Sequence, residues 1–299
     1  MTTLDRQRGS VLLAVLFLAG LLGIFAAAAS SVMNAAAESS RSFADGIRAD
    51  AAMRSAIEYI VARTGATLQD AHGTASVQVG TATVLISVRD EAARVDLNKA
   101  PPELIAGIFQ QVGVSAENAR MYAARIVDWR DEDDDISPNG GAERGAYRSA
   151  GRIDGPRNGP FLHVAELALV LGIPPRAAAA VAPYVTVASG RDKINPVLAD
   201  PPVLRALPGV SQQRLLDFLD QRTRPGADFD QLISRLGPGA EDFVTSDNAL
   251  AVRFEGRVQL ASSAERRYEV VVSVVDGDKE PYRILAWDSH PPERIRTLQ

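Results

Sequence analysis

The chain has 299 residues, 46% of them hydrophobic and 23% charged, with a formal net charge of −5. That length holds one large domain or two ordinary ones, the apolar share belongs to a folded body, and the negative balance offers no general attraction for nucleic acid or acidic lipid. Cysteine is absent, which excludes disulfides, thiol nucleophiles, cysteine metal sites and a lipoprotein cleavage site together.

The first element is apolar. R-Q-R-G-S-V-L-L-A-V-L-F-L opens a segment with no charge between Arg8 and Glu38, a run of 29 positions. A signal-peptide core needs only about 7–15 apolar residues, and at about 1.5 Å per residue this run exceeds a hydrocarbon layer of about 30 Å. Ala26 to Ser30 nevertheless offers the small residues that signal peptidase cuts beside, so a discarded signal and a retained anchor both stand. Arg6 and Arg8 keep the N-terminus cytoplasmic and send the rest across. Helical periodicity then continues through Phe43, Ile47, Ile57, Ile60 and Val61, with Gly65 as the stop. From Ser10 to Thr64 the spacing predicts one rod of about 80 Å.

Strand chemistry follows. TASVQV (74–79) and ATVLISV (82–88) are joined by Gly80-Thr81, which suits a tight hairpin. The same texture returns at 251–258, 268–275 and 282–287, with Gly277 between the last two. Strands at both ends predict one sheet interrupted by an insertion.

The interruption, from Asp96 to Asn248, reads as helical hairpins. Three segments repeat a short helix, a Gly-hydrophobic turn and a second helix, with turns at Gly113-Val114, Gly172-Ile173 and Gly209-Val210. Stacked hairpins bury their leucines against one another.

Within it, DWRDEDDDISPNGGAERGAY is the densest chemistry. Five consecutive acids, Asp131 to Asp135, repel unless solvated or neutralised. Asp131, Asp133 and Asp135 have the spacing that opens an EF-hand, but Ile136 stands where its glycine belongs and Glu143 lies one place too far. A solvated surface run and an irregular calcium loop, with help from Gly140-Gly141 carbonyls, are both open. Nothing apolar in the local sequence is expected to raise a carboxyl pKa.

The turn L-P-G-V-S-Q-Q is similar to a helix-hairpin-helix, with Ser211 in place of its second glycine. The insertion holds 16 Lys and Arg against 21 Asp and Glu, which gives duplex DNA no footprint. The histidines, His72, His163 and His290, are scattered, only His163 falling in a predicted helix, and no catalytic motif is present. An enzyme is not expected.

R-G-SVLLAVLFL resembles the class III signal of type IV pilins and pseudopilins. The resemblance implies cleavage by prepilin peptidase after Gly9 and N-methylation of Ser10, so the leader goes and the helix stays. That family commonly has glutamate at the fifth mature position, where this chain has Ala14. The absence points to the K-type minor pseudopilins of the type II secretion system. DEAARVDLNKAP (90–101), DW-x-D-x-D with GAE-x-x-x-Y (128–147), F-x-x-x-x-EL (161–167), PYVTV (183–187) and INP (194–196) occur in that family's order. The stretch 148–159, rich in Gly and Arg, departs from it.

The resemblance implies an α+β fold: a long N-terminal helix on a small antiparallel pseudopilin sheet, with a large all-α insertion of stacked helical hairpins. Expected segments are a leader at 1–9, the transmembrane and amphipathic helix at 10–65, sheet at 66–95 and the insertion at 96–249, then closing strands at 250–289 and a tail at 290–299. It implies structural calcium on Asp128, Asp131, Asp133 and Glu143, with Asp135 next. It also implies assembly with I- and J-type minor pseudopilins at a pseudopilus tip, where secretin or cargo is met. Membrane and partner contacts fall to Val11, Leu12, Leu13, Ala14, Leu16 and Phe17, and to Phe43, Ile47 and Ile57. The body would be periplasmic and the helix in the inner membrane. The rival readings are a membrane-anchored helix-hairpin-helix protein of DNA uptake and a pilin of a type IV pilus assembly.

Overall fold

The computed structural model describes residues 4–64, 73–224, 226, 228–274 and 282–291, with backbone alone over 4–12. Gly65, His72 and Gly277 lie outside them.

Helix α1 (Leu4–Thr64) runs unbroken for 61 residues. Its lower side chains, Leu13 to Met33, are exposed, and it is long and apolar enough to cross a membrane. Its upper part is amphipathic through alanine. Ala49, Ala52, Met53, Ala56, Ile57, Ile60 and Val61 are buried, a run at three- and four-residue spacing on one stripe.

That stripe lies on a five-stranded antiparallel sheet ordered β1-β2-β5-β6-β7. Strands β1 (Gly73–Val79) and β2 (Ala82–Asp90) form the hairpin turned at Gly80. Every second residue of β2 from Ala82 is buried, as a half-solvated strand requires. The sheet's other strands are C-terminal: β5 (Ala251–Gln259), β6 (Glu265–Val274) and β7 (Tyr282–Asp288). Phe254, Val258, Tyr268 and Val270 join the helix stripe in one core. Gly256 sits where Met53 crosses, and a Cβ there would meet its sulfur at 2.4 Å. The Tyr268 hydroxyl donates to Asp50 at 2.7 Å, and Arg54 lies 4.5 Å over the Trp287 ring.

The insertion leaves from β2 and returns to β5, which pair directly, Asp90 opposite Val252. It begins with β3 (Val95–Asp96), α2 (Pro102–Gln111), α3 (Ala116–Arg130) and α4 (Arg144–Ser149). It continues through a 3-10 helix at Val164–Leu169, α5 (Pro175–Val181), β4 (Val185–Thr186), α6 (Pro201–Arg205), α7 (Gln212–Arg222) and α8 (Phe229–Leu236). The three repeat turns are left-handed at Gly113, Gly172 and Gly209, where φ is 86°, 77° and 76°. These helices share a second core of their own, including Leu104, Phe109, Phe161, Leu204 and Phe218. The fold is therefore α+β with two cores.

Two sequence expectations are corrected. Ile57 is 1% exposed against this chain's own sheet, so it offers nothing to a partner, whereas Phe43 at 72% and Ile47 at 56% precede the packed stripe. His163 is not inside a helix. It is the N-cap of the 3-10 helix, its ring accepting from Ala165 N–H while Glu166 closes a capping box.

Buried charge joins the lobes. Glu91, fully buried, receives the Arg253 guanidinium at 2.6 and 3.0 Å and the Thr186 hydroxyl of β4. Burial works to raise its carboxyl, but Arg253, with Arg94 behind it, holds it at about 2, below the ordinary 4.5. Asp90 accepts from Ala92 and Ala249 N–H, and Asp96 from the Ser189 hydroxyl and Gly190 N–H. The acids of DEAARVD thus clamp the outgoing and returning chain.

Candidate functional site

The acid loop hangs between two helix ends. The last turn of α3 carries Asp128, Asp131 is its C-cap, and Glu143 is the N-cap residue of α4. Arg130 fixes the end of α3 by donating to the Leu97 and Ala100 carbonyls at 2.6 and 2.9 Å. Behind stands an aromatic wall: Trp129 stacks on Phe161 with ring centres 5.7 Å apart and faces Tyr147 at 6.5 Å.

This wall buries what the sequence leaves exposed. Asp128 is wholly buried and accepts from Ser137 N–H at 3.1 Å. Glu143 is 5% exposed, and neither carboxylate oxygen has a hydrogen-bond partner; nor has Asp131 Oδ1. Burial, then the charges of Asp128, Asp131, Asp134 and Asp133, push the Glu143 carboxyl up to about 7. Burial also raises Asp131, with Asp133 and Asp128 adding to it. The expectation that nothing apolar would raise a carboxyl here is therefore overturned: Trp129 and Tyr147 stand within the acid stretch itself, and Phe161 joins them from outside it.

Asp133 and Asp135 are exposed, the Asp133 carboxylate accepting from Asp135 N–H at 2.9 Å. Of the Gly140-Gly141 pair, the Gly140 carbonyl already accepts from Arg125 at 3.1 Å. Gly141 is required sterically, since a Cβ would lie 2.2 Å from Asp128 Oδ2. One participant escapes sequence reasoning. Asn158 donates to the Asp133 carbonyl and to Asp134 at 3.2 and 3.4 Å, while its own Oδ1 is buried without a partner. No spacing rule marks it, because it returns to the loop from 25 residues away. Among the described residues no three acids or histidines stand ready around one point as a metal shell. What the site holds is unpartnered carboxylate oxygen, crowded by like charge.

The other expected sites scatter along α1. Gly9 and Ser10 lie on its helical backbone, as do Val11 and Leu12, while Leu13, Ala14, Leu16 and Phe17 are exposed. The hairpin turn at Gly209 packs on the Pro238 carbonyl, and the Ser211 hydroxyl caps α7, so that turn is occupied within the chain.

Residues 85–190, from mid-β2 to just past β4, match the family described as type II secretion system (T2SS), protein K. Over that stretch the chain is similar to protein K of the type II secretion system. Its fold is also that of a chain in a solved structure, the GspK-GspI-GspJ complex from the type 2 secretion system of enterotoxigenic Escherichia coli. Identity is 16%, the TM-score is 0.63, and the match covers 85% of this chain and 99% of that one. None of the curated proteins matches. The matched stretch contains both the buried clamp of Asp90, Glu91 and Asp96 and the acid loop, so the similarity falls on the root and first part of the insertion.

Proposed function

We propose that the chain caps the tip of a type II secretion pseudopilus, assembling with I- and J-type minor pseudopilins to initiate the fibre and export folded proteins across the outer membrane. One observation carries this: a folded body with its own core is spliced between adjacent strands of a small sheet carried on a long helix. Such bulk would collide with neighbours inside a helical fibre and is free at its end. The neighbour structure's own description, a complex with I and J proteins, supports the choice of partners. Prepilin peptidase would remove residues 1–9 and methylate Ser10. The helix from there would hold the chain in the inner membrane, N-terminus cytoplasmic and body periplasmic. Ala14 in place of glutamate suits a first subunit, which needs no charge to neutralise a predecessor's amine.

In the same reading the acid loop takes Ca²⁺. Asp128, Asp131 and Glu143 supply carboxylates, Asp133 and Asp134 add charge, Asn158 Oδ1 adds a neutral oxygen, and Asp135 stays at the rim. Calcium accepts six to eight oxygens in irregular geometry. It would supply neutralisation, stapling α3 to α4 in a chain without disulfides. The chain's role is assembly and not chemistry.

Co-purification tests the assembly. Full-length chain expressed with tagged I- and J-type partners is expected to elute with both. Phe43→Asp/Ile47→Asp should cut recovery at least tenfold without changing the melting of the head. Failure of the unaltered chain to retain either partner sinks the proposal.

A further inference from the structure

The stretch after the acid loop has the opposite charge. Residues 144–157 contain Arg144, Arg148, Arg152 and Arg157 against Asp154 alone, in a chain that is negative overall. The first two sit one turn apart on α4, both exposed, and neither has a carboxylate partner among the described residues. Arg152 is held in place, its guanidinium 5.2 Å over the ring of buried Tyr147 and its N–H bonded to the Tyr147 carbonyl at 3.0 Å. Arg157 is spent internally on Glu166 at 3.1 Å. Beyond Arg152 stands Ile153, 96% exposed, on a loop that leaves α4 through Gly151 at φ 77°.

A β-branched aliphatic side chain fully in water gains nothing for the fold, and Arg144 and Arg148, beside an acid run, gain no internal pairing. Arginine is the cation suited to bidentate carboxylate recognition and is enriched in binding hot spots, where an apolar side chain can serve as the anchor. We propose that Arg144, Arg148, Arg152 and Ile153 form a docking platform for an acidic protein segment, with Ile153 as the apolar anchor. An anionic lipid surface shares the charge but fits less well. A flat sheet of negative headgroups would meet Asp131 to Asp135 next door, whereas a peptide places its carboxylates selectively.

The test uses full-length chain in zwitterionic detergent and a fluorescein-labelled peptide of six glutamates around a central leucine, read by anisotropy. The expected result is saturable binding that weakens with salt, falls at least tenfold in Arg144→Glu/Arg148→Glu and about threefold in Ile153→Ser. If charge reversal lowers the melting temperature, Arg144→Gln/Arg148→Gln should still weaken binding about threefold. No binding, equal binding of the hexalysine counterpart, or binding indifferent to the arginine variants overturns the proposal. So does arginine-dependent flotation with phosphatidylglycerol vesicles in the absence of peptide binding.

Discussion

Glu91 and Glu143 are both buried glutamates, and the fold treats them oppositely. Glu91 is matched by Arg253, Thr186 and Arg94, and its carboxyl is held near 2; its stabilising contribution is present above the unfolded value of 4.5 and fades as pH falls toward 2. Glu143 has no partner and rises to about 7. In the metal-free chain its unfolded form ionises first, near 4.5, so its contribution to stability declines as pH climbs from there to about 7. A cation would reverse that sign. Glu143→Gln is therefore expected to stabilise the calcium-free chain at neutral pH by about 1 kcal/mol and to weaken calcium at least tenfold. Thermal melts in chelator and in calcium, with calorimetric titration, check both arms. Equal calcium stabilisation of variant and parent would remove Glu143 from the site. The acids themselves were legible, because their density is written in the chain. Their environment was not, since Phe161 and Asn158 reach the loop only by folding.

Helices of the insertion were readable from their turns. A left-handed glycine closes the first arm of each hairpin, at Gly113, Gly172 and Gly209, shortly past the helix ends at Gln111, Leu169 and Arg205. What recurs is the turn and not the helix type, for the first arm of the second hairpin is 3-10 at Val164–Leu169. Packing between hairpins rests on a position with no such signature. Gly107, in the middle of α2, faces the backbone of Ala206 so closely that a Cβ would lie 2.1 Å from its carbonyl oxygen. Backbone cannot rotate away as a side chain can, so Gly107→Ala should cost about 2–3 kcal/mol. Gly145→Ala, where nothing lies within 4 Å, should change stability by less than about 0.5 kcal/mol. Chemical denaturation of both variants measures the difference; similar curves would mean that α2 and α6 part without penalty.

The proposed role of the molecule as a whole depends on α1 being retained. If cleavage follows Gly9, intact mass and sequencing of the purified protein should show an N-methylated Ser10. A start near Ser30, or an intact Met1, would replace the pilin-like reading with a secreted or simply anchored protein. The continuous helix Leu4–Thr64 favours retention, because its upper third is the floor of the sheet's core.

The linear chain declared its greasy rod, its strands at both ends, the glycine-turned hairpins and the crowded acids, because each is a pattern within a few helical turns or one strand and depends on local periodicity. Folding alone assigned sides and partners. It turned the alanine stripe and Ile57 inward, leaving Phe43 and Ile47 out, and it joined Glu91 to Thr186 and Arg253. It walled Glu143 away from water and left the arginines of α4 facing it. Burial and charge pairing are set by groups brought together from distant parts of the chain, and no local period encodes those meetings.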